Sequence, residues 1–149
     1  MEIAKTFANG MEYFNTLGGS QVSSAVGMAV LDVMEKEGLM QNSLENGILL
    51  KKNLKELKKT FPLIGDVRGE GYFLGFELVI DQETKEPAPL HAEYIVERMK
   101  SLRILLSTEG PGHNVIKFKP PMVFNKKNVH QFTGELEKIL SETPLQINH

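Results

Sequence analysis

The residues best suited to chemistry are an arginine set among glycines and a hydroxyl–glycine run that leads into a helical pattern. Arg68-Gly69-Glu70-Gly71 enters a segment of extended character, where a planar guanidinium suits a carboxylate or a phosphate. The same placement also suits a surface arginine or an internal ion pair. Thr16-Leu17-Gly18-Gly19-Ser20 brings a hydroxyl and glycines to a helix start. Free N–H groups, the positive end of the helix dipole and room for close approach make an anion cradle of such a segment. A plain turn uses the same residues, and both readings stay open at this level.

Other chemistries find no support. His91, His113, His130 and His149 never fall at ligand spacing, and no carboxylate motif frames them, so no metal site is expected. There is no G-x-S-x-G elbow for a nucleophilic serine. The chain has no cysteine, which removes disulfides, thiolate nucleophiles and cysteine-ligated metals together.

The elements that must position these residues follow from periodicity. Residues 1–21 carry turn signals and scattered aromatics without a period, and read as a connection that needs something to lie against. From Gln21, Val22, Ala25, Val26, Ala29, Val30 and Val33 mark one face of a helix, with Ser20 as N-cap and Gly38 as C-cap. A second helix is expected over about 42–59, with Leu44, Ile48, Leu54, Leu57 and Phe61 inward and a lysine-rich wet side. Pro62 stops it. Tyr72, Leu74, Phe76, Leu78 and Ile80 alternate as a half-buried strand does. A third helix is expected over about 90–101 with Ala92, Ile95, Val96 and Met99 inward. Short strands are expected at 104–106 and 115–118, and a last helix over about 126–141 with Val129, Phe132, Leu136 and Ile139 inward. This order predicts an α+β, two-layer domain, with a three- to four-stranded, mainly antiparallel sheet and helices on one face.

Composition sets the outer bounds. With 149 residues, 41% hydrophobic and 24% charged, the chain resembles an ordinary globular domain. A net charge of −2 with mixed signs gives nucleic-acid binding no electrostatic basis. No run is apolar enough to span a membrane, and the first residues lack the pattern of a signal peptide, so a cytoplasmic location is expected.

Three segments together carry a family resemblance. Tyr13-Phe14-Asn15-Thr16-Leu17-Gly18-Gly19-Ser20-Gln21-Val22 and the helix after it resemble the T-x-G-G-N-P segment of class III aminotransferases. Ile64-Gly65-Asp66-Val67-Arg68-Gly69-Glu70-Gly71-Tyr72-Phe73-Leu74-Gly75-Phe76-Glu77-Leu78 resembles their G-D-V-R-G-x-G strand, and Asn114-Val115-Ile116-Lys117-Phe118-Lys119-Pro120-Pro121 resembles their late N-V-I-x-x-x-P-P strand. The order and spacing agree along nearly the whole chain. One departure stands out: where the family has Asn-Pro after Gly-Gly, this chain has Ser20-Gln21.

The resemblance implies the small, C-terminal domain of a homodimeric fold-type I enzyme using pyridoxal 5'-phosphate. It implies cofactor contacts from Thr16 and Asn15, with Thr16 reaching the phosphate bound in the partner subunit. It implies that Arg68 binds the substrate carboxylate, or pairs with an acidic residue of the large domain. The family's Schiff-base lysine belongs to that large domain, and no lysine here matches it, so this chain alone is expected to be inactive. Residues 1–21 would then contact the large domain and the partner, 22–143 would form the small domain, and 144–149 a tail. Within the family, the chain is most similar to the subgroup of alanine–glyoxylate aminotransferases and of phospholyases acting on ethanolamine phosphate or phosphohydroxylysine. A non-catalytic dimerisation or binding module is the alternative from a different class.

Overall fold

A computed structural model describes residues 2–8, 10, 14–16 and 18–142. The expected tail 144–149 lies outside these, as do Tyr13 and Leu17 of the family-like segment. The chain divides into two compact units, Met1–Glu37 and Gly38–His149.

The first unit holds α1 (Glu2–Phe7) and α2 (Gln21–Lys36). α1 is a correction, since no element was expected there. Ser20 caps α2 as its type suggests, its hydroxyl accepting from the Ser23 N–H at 3.3 Å. Gly38 follows in the left-handed conformation at φ 61, which costs a residue without Cβ least. No residue of α2 is buried.

The second unit runs α3 (Leu39–Thr60), β1 (Ile64–Glu70), β2 (Phe73–Leu78), α4 (Pro89–Ser101), β3 (Ser107–Glu109), β4 (Val115–Phe118) and α5 (Lys126–Leu140). The strands form one antiparallel sheet in the order β1-β2-β4-β3. The expected α+β architecture is therefore the observed one. Leu50 and Leu54 of α3, Ala92, Ile95 and Met99 of α4, and Val129, Phe132, Leu136 and Ile139 of α5 share one core with Leu74, Phe76, Leu78, Ile116 and Phe118 of the sheet. Each large apolar side chain removed from water there contributes about 1.5–3 kcal/mol.

Helix ends follow their local chemistry. Pro89 occupies the first turn of α4, where a missing N–H costs nothing. Asn125 and Asn128 form a reciprocal capping box at the start of α5.

Several expectations need correction. α3 begins at Leu39, not near Asn42. Its inner side includes Leu50, fully buried, while Ile48 is 62% exposed and Leu44 also faces outward. The phase is set by Gly47, which lies so close to Gly71 that a Cβ there would collide with the Gly71 carbonyl. The short strand expected at 104–106 lies at Ser107–Glu109, where the pairing with β4 runs. The β2 alternation holds from Tyr72 to Leu78 and then fails, since Val79 is buried too and bridges to Pro87.

Candidate functional site

Three helices cover one face of the sheet, and the other face carries the charged residues. Strand register arranges them in rows. Asp66 opposes Glu77, and Glu77 opposes Val115, which opposes Glu109. In the next row Arg68 opposes Gly75, Gly75 opposes Lys117, and Lys117 opposes Ser107. In the third row Glu70 opposes Phe73. Leu74 opposes Phe118, so Phe73 and Lys119 each lie one residue further along, and the Lys119 Nζ sits 4.2 Å from the Phe73 ring centroid.

Gly75 sits between Arg68 and Lys117 and has no side chain, so the row is hollow at its centre. An open cavity of about 760 Å³ forms over it, lined by Arg68, Glu70, Phe73, Glu109, Lys117 and Lys119 with the strand backbone as floor.

Arg68 stands on this face, half exposed and ion-paired, an arrangement the sequence allowed beside that of an oxyanion ligand. Its Nη1 donates to Asp66 Oδ2 at 2.8 Å and to Glu77 Oε2 at 2.7 Å. Glu77 is steadied from its other oxygen by the Asn114 amide at 3.4 Å. The Asn114 Nδ2 also donates to the Leu78 carbonyl at 2.7 Å. The hydrogen bond from Arg68 holds the Asp66 carboxyl below the usual carboxylate range, against the opposing effect of burial. The hydrogen bonds from Asp66 and Glu77 in turn raise the Arg68 pKa further. Lys117 pairs with Glu109, and that hydrogen bond lowers the Glu109 pKa.

Asn15 and Thr16 belong to the first unit, and Arg68 to the second. The Asn15 carboxamide accepts from the Gly18 N–H at 3.1 Å, shaping the turn that precedes α2. Thr16 and Gly19 are exposed, and a Cβ at Gly19 would meet nothing within 4 Å. Thr16 is therefore exposed beside a helix start, a place that suits an anion, although the Ser20 hydroxyl already occupies the Ser23 N–H.

Sequence reasoning singled out Arg68 but not Gly75, Lys117 or Lys119, which line the same cavity. The signal was present: Val115, Lys117 and Lys119 alternate with Ile116 and Phe118, so both lysines share the solvent face. Among the described residues no group of three His, Asp or Glu side chains could hold a metal, and no helix is long and apolar enough to cross a membrane.

Comparison with known proteins points one way. Residues 1–140 match the family model described as aminotransferase class III. The chain is 50% identical to an alanine–glyoxylate aminotransferase 2-like protein of Drosophila melanogaster over 133 residues, which are 88% of this chain and 27% of that protein. It is 46% identical to a mitochondrial alanine–glyoxylate aminotransferase 2 homologue of Arabidopsis thaliana, over 87% of this chain and 27% of that protein. Among solved structures it superposes with TM-score 0.85 and 34% identity on an Arthrobacter phospholyase in complex with phosphoethanolamine, covering 96% of this chain and 34% of that one. The chain thus spans about a quarter to a third of the length of these relatives.

Proposed function

The chain belongs to the class III aminotransferase family, and from that premise we propose that it is the C-terminal part of a homodimeric, pyridoxal-phosphate-dependent enzyme that moves an amino group between an amino acid or amine and a 2-oxo acid. The observation that carries the reading is Arg68 on the open face of the sheet, at the rim of a cavity, in a chain whose family match runs nearly end to end.

Both contacts made by Arg68 use Nη1. The Nε–Nη2 edge, the one that matches a carboxylate in bidentate fashion, stays available for a substrate. Asp66 and Glu77 hold the guanidinium in place while it waits. In the first unit, Thr16 and the Gly18-Gly19 turn suit the cofactor phosphate, with Asn15 shaping that turn. Bound pyridoxal phosphate would supply the electron sink for breaking bonds at the amine-bearing carbon. A large domain would supply the Schiff-base lysine and would cover residues 1–21 and the apolar side of α2.

A phospholyase of the same family is the second reading, favoured by the superposition on the Arthrobacter enzyme. We assign the chain to the cytoplasm; the Arabidopsis relative is named mitochondrial.

Two experiments test this. The chain by itself, titrated with pyridoxal phosphate and trapped with borohydride, should give no stoichiometric adduct at any lysine. An adduct at a single lysine would mean that the chain holds its own Schiff-base site. A chimera joining the upstream portion of the Drosophila relative to this chain should transfer an amino group from alanine to glyoxylate. Release of phosphate from phosphoethanolamine without amino transfer would move the assignment to the phospholyase reading. Neither activity from a folded, cofactor-loaded chimera would sink both.

A further inference from the structure

We propose that Lys119, held over the Phe73 ring, gives the cavity on the open sheet face its affinity for oxyanions and so decides which substrates enter. The proposal rests on reading that face as the substrate-facing one.

Net charge leads to Lys119. Arg68 offers a fork, but Asp66 and Glu77 already share it. Those three groups sum to one negative charge, so an arriving anion gains orientation there and no net attraction. Lys117 is neutralised by Glu109. Lys119 lines the same cavity and, among the described residues, has no carboxylate within ion-pair distance. Its Nζ lies over the face of Phe73, which steadies an ammonium without neutralising it, and Glu109, the carboxylate that feels its charge, is already paired with Lys117. Phe73 is itself 62% exposed, which leaves its ring face open to the ammonium.

Glu70 is the counterweight. It lies opposite Phe73 in the register and lines the cavity. No ion pair joins it to Lys119 among the described residues. A like charge at that rim penalises anions in proportion to their charge, so it should weigh more against a phosphate monoester than against a carboxylate. The division of labour is then definite. Arg68 sets the geometry of a bound oxyanion, Lys119 supplies the attraction, and Glu70 tempers it.

The test is an NMR titration of the 149-residue chain with inorganic phosphate, following the lysine Cε–Hε, arginine Nε–Hε and Phe73 ring signals. Wild type should show saturable shifts at Lys119 and Phe73. Lys119→Gln should weaken binding about tenfold, the loss of one charge-assisted contact. Glu70→Gln should tighten it about threefold, and more for phosphate than for acetate. Amide spectra of both variants show whether the sheet is intact. Shifts that survive Lys119→Gln and vanish with Arg68→Gln overturn the proposal and leave the Arg68 reading standing. No saturable shift anywhere on the face up to roughly 100 mM phosphate, an affinity too weak to select a substrate, overturns both.

Discussion

Arg68 and Glu77 meet diagonally across Gly75, with 2.7 Å between Nη1 and Oε2, because the residue facing Arg68 on β2 has no side chain to block the way. The same nitrogen holds Asp66, whose carboxyl is lowered by that hydrogen bond. A carboxyl with a lowered folded pKa contributes stability that is present above its unfolded value, 3.8, and is lost as pH falls through the folded one. Replacing Arg68 with Gln should return Asp66 toward 3.8, read by carboxyl-carbon NMR. At neutral pH the stability change should stay within about 1 kcal/mol, since both groups are half exposed. An Asp66 titration unchanged by Arg68→Gln would show that the pair does not persist in solution.

A second ionic contact fastens the end of α5. Glu142 accepts from Arg98 Nη2 at 2.6 Å and Nε at 2.9 Å. The Tyr94 hydroxyl donates to it at 2.5 Å. Its pKa is pulled down to about 2, chiefly by the Arg98 hydrogen bond. The contact is therefore complete above the ordinary carboxylate value and is lost only as pH falls through about 2. Arg98→Gln should bring the Glu142 titration back up toward 4.5 and increase amide exchange in the last turn of α5. Exchange unchanged in that turn would mean the Leu136 and Ile139 packing alone secures it.

How much of this was legible in the sequence depends on whether a residue's role is local. Val22 to Val33 spell a helix face in their own spacing, and Tyr72 to Leu78 spell a strand. Arg68 drew notice from the glycines at 65, 69 and 71, though its ion pairs did not show there. Leu50 could not be told from Ile48, because Ile48-Leu49-Leu50 is an unbroken apolar run and its phase is set by Gly47 against Gly71, distant in sequence. Val79 is buried through a bridge to Pro87 that no alternation rule contains. The cavity was invisible for the same reason. Placing Glu77 beside Arg68 requires the hairpin register, including the irregularity between Ile64 and Asp66. Bringing Lys119 onto Phe73 requires a pairing across some 40 residues of intervening chain, which only the folded sheet supplies.

Two glycines should respond oppositely to alanine. A Cβ at Gly47 would overlap the backbone of Gly71, where nothing can yield, and Gly47→Ala should cost about 1–3 kcal/mol in denaturant unfolding. A Cβ at Gly75 would meet Val115 and the Ile116 carbonyl at 3.4 and 3.5 Å, ordinary contact distances. Gly75→Ala should leave the unfolding midpoint within about 0.5 kcal/mol of wild type while raising the floor of the cavity between Arg68 and Lys117. Phosphate shifts at Lys119 should then shrink in a fully folded protein. Equal destabilisation by the two substitutions would mean that the contact between α3 and the β1–β2 turn yields to an added methyl group.

The apolar side of α2 predicts association. Val22, Val26, Val30 and Val33 follow one another at helical spacing and are 75, 58, 52 and 46% exposed, with no residue of the helix buried. A stripe of that kind seldom remains in contact with water in a stable monomer. Without the large domain proposed to cover it, the chain should self-associate, with a sedimentation coefficient that rises with concentration. Replacing Val26 and Val30 with Asp should abolish the association. The same pair should leave the unfolding of the second unit unchanged, because that unit carries its own core and none of its buried residues comes from α2. A wild-type chain that stays monomeric at high concentration would show that the stripe is covered from within the chain. A double variant that lowers the stability of the second unit would place α2 in its core.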